Sequence, residues 1–239
     1  MRGGLGIVFP DANSFSNPGY FATVNGFSAE GRWRHIQMEG DNIVTPSAVL
    51  GNGAFGFGAY GQRFGKLDDV DLATDTVGAG AGVALVKEKL LFGVAFERSV
   101  EKVVQNDGTL TATLSLVPKG KGLSVVAAGS TTFNADEEVR TATLGVGYVI
   151  SPMLALEAAV KANNVNDFED LTGTAGFLLQ AKYFYLGGRY SYNNLSELHG
   201  AEGRLGIVVA DLFDASGYMQ RTFNDAYALN YGASARFRF

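Results

Sequence analysis

The chain of 239 residues has no cysteine, only five prolines, two histidines and one tryptophan. Without cysteine there is no disulfide, thiol nucleophile or thiolate metal site, a composition that suits an oxidising compartment. Charged residues make up 18% of the chain, fewer than a soluble surface normally carries. No window approaches the roughly 18 to 20 consecutive apolar residues that a membrane helix needs. The net charge of −5 and a pI near 5.1 lack the basic footprint required for nucleic-acid binding.

Catalytic signals are equally sparse. His35 and His199 lie far apart, with neither metal-ligand nor triad spacing, and no Gly-x-Ser-x-Gly occurs. Asp68-Asp69-Val70-Asp71 lacks the glycine turn and bidentate glutamate of a calcium loop. Neither an enzyme nor a metal or cofactor site is expected.

What the chain has in quantity is glycine, 32 residues, and period-2 alternation. In the last segment Tyr227, Leu229, Tyr231, Ala233, Ala235, Phe237 and Phe239 alternate with Ala228, Asn230, Gly232, Ser234, Arg236 and Arg238. That is a strand with one apolar and one polar face. Leu154 to Lys161, Thr174 to Tyr183 and Arg204 to Val209 repeat the pattern with charge on the polar side, and Leu110 to Leu116 repeats it with Thr111, Thr113 and Ser115 there. An outer face in lipid and a polar lumen account for all of them.

The alternation predicts strands at 27–38, 42–50, 54–65, 74–86, 89–100, 108–117, 121–133, 138–150, 153–163, 172–183, 185–195, 202–211, 214–223 and 227–239. The fold class is therefore all-β: a transmembrane, antiparallel, up-and-down barrel of fourteen strands. Twelve is the alternative, because 42–50 contains Pro46 and 214–223 alternates poorly. Links between segments alternate short and long, as in outer-membrane barrels with periplasmic turns and external loops. With Phe239 at the periplasmic end, all short links fall on that side. The long links are acidic, with Asp68, Asp69, Asp71, Asp75, Asp136, Glu137, Glu138, Asp167, Glu169, Asp170, Glu197 and Glu202 in or beside them. Tyr183, Phe184, Tyr185, Phe237 and Phe239 fit a periplasmic aromatic girdle.

A barrel of that size encloses space that something must line or block. Residues 1–26 precede the first strand and are available to block it, with 27–239 forming the wall. Inward projection gives Glu30, Arg32, Arg34, Glu157, Lys161, Gln180, Lys182, Arg189, Arg204, Arg236 and Arg238 as lumen candidates. The basic excess could attract a carboxylate head group; alternatively these charges pair with Glu30, Glu157 and Asp11 to hold the interior together. Gly78, Gly80 and Gly82 share the inner face of one strand, where they would let a segment approach the wall. Gly51-Asn52-Gly53-Ala54-Phe55-Gly56 matches a dinucleotide fingerprint formally, but a strand follows it instead of a helix. It reads as a hairpin turn.

The N-terminal stretch Arg2-Gly3-Gly4-Leu5-Gly6 and Asp11-Ala12-Asn13-Ser14-Phe15-Ser16-Asn17-Pro18-Gly19, with Thr45-Pro46-Ser47 and Gly56-Phe57-Gly58-Ala59-Tyr60 through Phe64-Gly65, resembles the FadL-type family of outer-membrane transporters for long-chain fatty acids and aromatic hydrocarbons. In that family an Asn-Pro-Ala precedes strand one; here Gly19 replaces the alanine. About 65 residues carry the likeness, and the loops are shorter than the family's external substrate cradle requires. The resemblance implies a fourteen-stranded barrel, a plug seated by Asn17, Pro18 and Gly19, and a third strand distorted around Gly56, Gly58 and Gly61 that offers a sideways exit. It also implies a small hydrophobic or amphipathic, fatty-acid-like substrate. The rivals are a general diffusion porin and a structural or adhesion barrel.

The expected location is the bacterial outer membrane, in contact with lipid and lipopolysaccharide, with Phe239 addressing the barrel-assembly machinery. Met1-Arg2-Gly3-Gly4 carries no secretory h-region, so the chain reads as a mature form.

Overall fold

The computed structural model describes residues 6–10, 14–37, 41–65, 74–87, 89–100, 106–117, 121–134, 138–166, 168–209, 212–223 and 229–239. The acidic residues Asp11, Asp68, Asp69, Asp71, Asp136, Glu137 and Asp167 lie outside them.

Within the described residues fourteen strands run in chain order: β1 Asn25–Ile36, β2 Asp41–Asn52, β3 Phe55–Gly65, β4 Thr74–Val86, β5 Leu90–Ser99, β6 Asn106–Leu116, β7 Gly122–Asn134, β8 Val139–Ser151, β9 Leu154–Ala162, β10 Leu171–Gln180, β11 Phe184–Asn193, β12 His199–Val209, β13 Phe213–Phe223 and β14 Leu229–Arg238. Each pairs antiparallel with its chain neighbour, and β1 pairs with β14 to close the barrel. Closure leaves no strand edge exposed. At the seam Phe27 N–H donates to Phe239 O at 2.9 Å and Phe239 N–H donates to Phe27 O at 2.8 Å.

Alternation makes the wall two-sided. In β5, Phe92, Val94 and Phe96 face out while Leu91, Gly93, Ala95 and Glu97 face in. Phe57 is 64% and Leu205 61% exposed on the outer face, an apolar belt too broad for a soluble surface and suited to lipid. The inter-strand links 53–54, 87–89, 117–121, 152–153, 181–183 and 210–212 are short and lie at one end; 37–40, 66–73, 100–105, 135–138, 163–170, 194–198 and 224–228 lie at the other. Outer-membrane barrels keep their short turns on the periplasmic side, and the two ends are named on that pattern.

Turn chemistry sets the boundaries. Asn52 Oδ1 accepts from Ala54 N–H at 3.0 Å and Phe55 N–H at 2.8 Å, and Gly53 has φ +79°, so the Gly51 to Gly56 stretch is the β2–β3 hairpin. Asn193 Oδ1 likewise accepts from Leu195 N–H at 3.1 Å and Ser196 N–H at 2.8 Å. That turn ends β11 at Asn193, and β12 begins at His199, three residues before its predicted start.

One expectation is corrected. Tyr185 is not part of the outer aromatic girdle: its position in β11 faces inward, and it is buried against Leu178 and Val208. Only its neighbours Tyr183 and Phe184 are exposed at that turn. The run of three aromatics hid the alternation, which must send one of any two adjacent strand residues inward.

Candidate functional site

The inner face divides into sectors by the residues that alternation turns inward. On β2 to β5 it is rich in small residues, with Tyr60 and Glu97 among them; on β6 to β8 it carries hydroxyls, and on β9, β11 to β14 and β1 charge. The segment before β1 lies across the first two.

A 3-10 helix, Pro18–Thr23, with proline in its first turn, sits against β2 to β6. Its backbone touches the wall. A Cβ built on Gly93 would lie 2.1 Å from Gly19 N, and one on Gly56 would lie 2.0 Å from Phe21 O. No other residue type fits either position without moving the helix. On β4, Gly82 serves the same approach under Pro18 O and Gly80 lies beneath the Phe21 ring, whereas Gly78 makes room for the ring of Tyr60.

Polar contacts fix the register of this segment. Asn17 is fully buried; its Nδ2 donates to Ile7 O at 2.9 Å and to Ser115 Oγ at 3.0 Å, while Ser115 Oγ donates to Asn17 Oδ1 at 3.2 Å. Gly19 N–H donates to Thr113 Oγ1 at 3.3 Å. A side chain at Gly19 would meet Asn17 Oδ1 at 3.3 Å and Leu91 Cβ at 3.4 Å, a tight fit that glycine relieves where the resembling family has alanine. Phe15 packs on Phe21 and Tyr60, with ring centroids 4.9 and 4.5 Å apart, and Phe21 is buried with Val24 and Val49.

Residues 6–10 make the second contact, on the adjoining stretch of wall, β7 to β9. Val8 and Phe9 join Val126, Val149 and Ala155 in a buried cluster, and Phe9 N–H donates to Glu157 Oε2 at 3.1 Å. Tyr20 OH donates to Val8 O at 2.8 Å, tying the two parts together. The segment thus reaches from β2–β6 to β7–β9.

The charged sector is largely paired. Asp214 accepts from Arg236 Nε at 2.9 Å, Arg236 Nη2 at 3.1 Å and Arg238 Nη2 at 2.9 Å. Arg236 is 2% exposed, so it braces the periplasmic end of the wall more than it lines open space. Arg32 forks onto Glu30 at 2.5 and 3.2 Å, and Arg189 meets Glu202 at 2.7 Å. Arg204 lies over the Tyr218 ring at 5.8 Å. Arg34 also faces inward, its Nε buried without a hydrogen-bond partner among the described residues. Lys161 faces inward near the external end of β9. Lys182 lies in the β10–β11 turn. Opposite these, Thr109 and Thr132 lie 2.9 Å apart, and Ser130 and Thr141 2.8 Å apart.

The third-strand glycines divide between the two faces. Gly56 and Gly58 turn inward beneath Phe21, while Gly61 turns outward with nothing within 4 Å of an added Cβ. Gly61 lies level with Pro46. The β2–β3 ladder pairs Val44 with Arg63 and Ser47 with Tyr60, and skips Thr45, Pro46, Gly61 and Gln62 between them. Proline supplies no N–H to a ladder.

Sequence reasoning missed Ser115, Thr113, Gly93, Asp214 and Glu202 as partners. Alternation turns each inward, but Asn17 and Ser115 are 98 residues apart, and no local pattern links them.

No family model matches the sequence, and no curated protein matches it. Solved structures do. A structure described as the CymD monoaromatic hydrocarbon channel superposes with a TM-score of 0.71 at 10% identity, covering 99% of this chain and 95% of that one. Two triple mutants of a Rhodopseudomonas blastica porin superpose with TM-scores of 0.57 at 10% identity, covering 90% of this chain and 99% of theirs. The likeness is one of fold alone. It agrees with the closed antiparallel barrel of fourteen strands expected from alternation.

Proposed function

We propose that this chain is a bacterial outer-membrane channel for small hydrophobic or amphipathic molecules, with the N-terminal segment as a plug that gates the lumen. The observation that carries the reading is the fit of that segment to the wall, with a buried Asn17 on Ser115 and backbone against Gly56 and Gly93. A tail left in the lumen by chance would not need glycines facing it on several strands. The fold likeness to a monoaromatic hydrocarbon channel supports the hydrophobic part.

Passage enters from the external end, over hydroxyls on one side and Arg34, Lys161 and Arg189 on the other, which suits a solute with a polar or anionic head. Its apolar part meets Phe15 and Tyr60, which are half-buried and stack on each other. That cluster lies one step from the interrupted ladder at Pro46 and Gly61, through which the solute leaves sideways into the bilayer.

A diffusion porin for small polar anions is the second reading, favoured by the polarity of the inner face and the porin fold likeness. Deleting residues 2–20 separates the two. The plug reading expects small conductance in planar bilayers that rises on deletion, with uptake of a monoaromatic hydrocarbon by proteoliposomes. Large conductance before deletion, unchanged after it, would establish the porin instead.

A further inference from the structure

The arginines that the strands turn outward lie at one end of the barrel. Among the described strand residues, the arginines that alternation turns outward are Arg63, Arg98, Arg140 and Arg221. Each lies within two residues of the external end of its strand, since β3 ends at Gly65, β5 at Ser99 and β13 at Phe223, and β8 begins at Val139. Below them the outer face is apolar: Val77, Val94, Phe96 and Phe57 are all exposed. A lipid-facing arginine is costly at mid-membrane and nearly free at the interface, which explains why they avoid the middle. It does not explain why none of the strand arginines faces outward at the periplasmic end. The external end is thus where guanidinium groups on the strands face the lipid head groups, the short-turn end carrying lysines such as Lys87, Lys89 and Lys182 in its turns.

Two of the four already have internal contacts. Arg140 pairs with Glu138 at 2.8 Å, and Arg221 lies over the Phe223 ring at 5.4 Å. Arg63 and Arg98 have neither ion-pair nor hydrogen-bond partner among the described residues, although Asp75 is level with Arg63 on the strand between them. Both are exposed. The register places Arg63 opposite Asp75 and Arg98 opposite Val77, so their Cα atoms are roughly 12 Å apart at ordinary strand spacing. Two extended side chains span that distance and can close on one phosphate between them.

We propose that Arg63 and Arg98 form a docking site for a phosphate of the lipid A portion of lipopolysaccharide, with its acyl chains lying down the wall along Val77, Val94 and Phe96. The site rests on the outer-membrane placement proposed above, but not on what the channel carries. Lipid retention is measured without reference to conductance, so the two readings fail separately.

The test uses the full chain extracted in detergent and titrated with bisphosphorylated lipid A in native mass spectrometry, folding being checked by heat-modifiable gel mobility. R63Q/R98Q should weaken binding about 25-fold, at about fivefold for each arginine near a charged membrane surface. R63K/R98K, which keeps both charges, should retain most of it, and R140Q should change little. Dephosphorylated lipid A should bind like R63Q/R98Q does to the parent lipid. Equal binding by the wild type and R63Q/R98Q, or by the phosphorylated and dephosphorylated lipids, overturns the proposal. Displacement by inorganic phosphate at the concentration at which lipid A displaces would assign the site to free phosphate and overturn it as well.

Discussion

Asn17 and Ser115 hold each other across the inside of the barrel, the amide donating at 3.0 Å and the hydroxyl returning a bond at 3.2 Å. Both are fully buried. Asn17→Ala strands the Ser115 hydroxyl and the Ile7 carbonyl, each loss costing about 1–3 kcal/mol. Hydrogen exchange across residues 14–24 should quicken by at least tenfold while strand amides stay protected. Unchanged exchange would remove Asn17 as the anchor.

Glycine substitutions on the wall should divide by face. Gly93→Ala puts a methyl 2.1 Å from Gly19 N, whereas Gly61→Ala meets nothing within 4 Å. The first should unseat the 3-10 helix and raise channel conductance without loss of the folded barrel; the second should leave both unchanged. Single-channel recording beside gel mobility reads the difference.

Asp214→Asn removes the acceptor shared by Arg236 and Arg238 at the periplasmic end. Losing one partner of a buried ion pair costs about 3–5 kcal/mol, whereas replacing the pair by apolar residues is often neutral. Urea unfolding in lipid vesicles should show that loss for Asp214→Asn and a smaller one for D214L/R236L.

Restoring the ladder at Pro46 tests the lateral exit. Pro46→Val supplies an N–H opposite Gly61 and a β-branched side chain suited to a strand. Hydrocarbon uptake should fall about tenfold with ion conductance unaltered. Equal uptake would send the solute out through the periplasmic end.

Acid should act first below the usual carboxylate range at the external loops. The Asn163 and Asn193 amides donate to Asp170 and hold its pKa below the ordinary value. A depressed folded pKa contributes stability above the unfolded value, near ~4, which is lost as pH falls through the folded one. Side-chain amide signals of Asn163 and Asn193 should therefore stay constant on acidification to ~4 and change only below it. In Asp170→Asn that step should vanish.

Alternation carries the fold because each strand must solve the same local problem, lipid on one side and lumen on the other. Alternation alone places Gly82, Thr113 and Arg236 on the inner face. It could not show that Arg236 is consumed by Asp214, since that pairing depends on which strands adjoin. Pro46 weakened the prediction of β2, yet it faces lipid and still pairs with Gly31 of β1; only the β3 side of the ladder is interrupted. Tyr185 was misplaced because three adjacent aromatics carry no period.

The seam between Phe27 and Phe239 also has a bearing on the order of assembly. The segment before β1 touches β2 to β9 and leads directly into the seam strand. All the partners of its described residues are therefore present in a sheet that is still open, and these residues need not be threaded through a finished cylinder. Zipping β1 to β14 last encloses a segment already in position, like a lid fastened over packed contents.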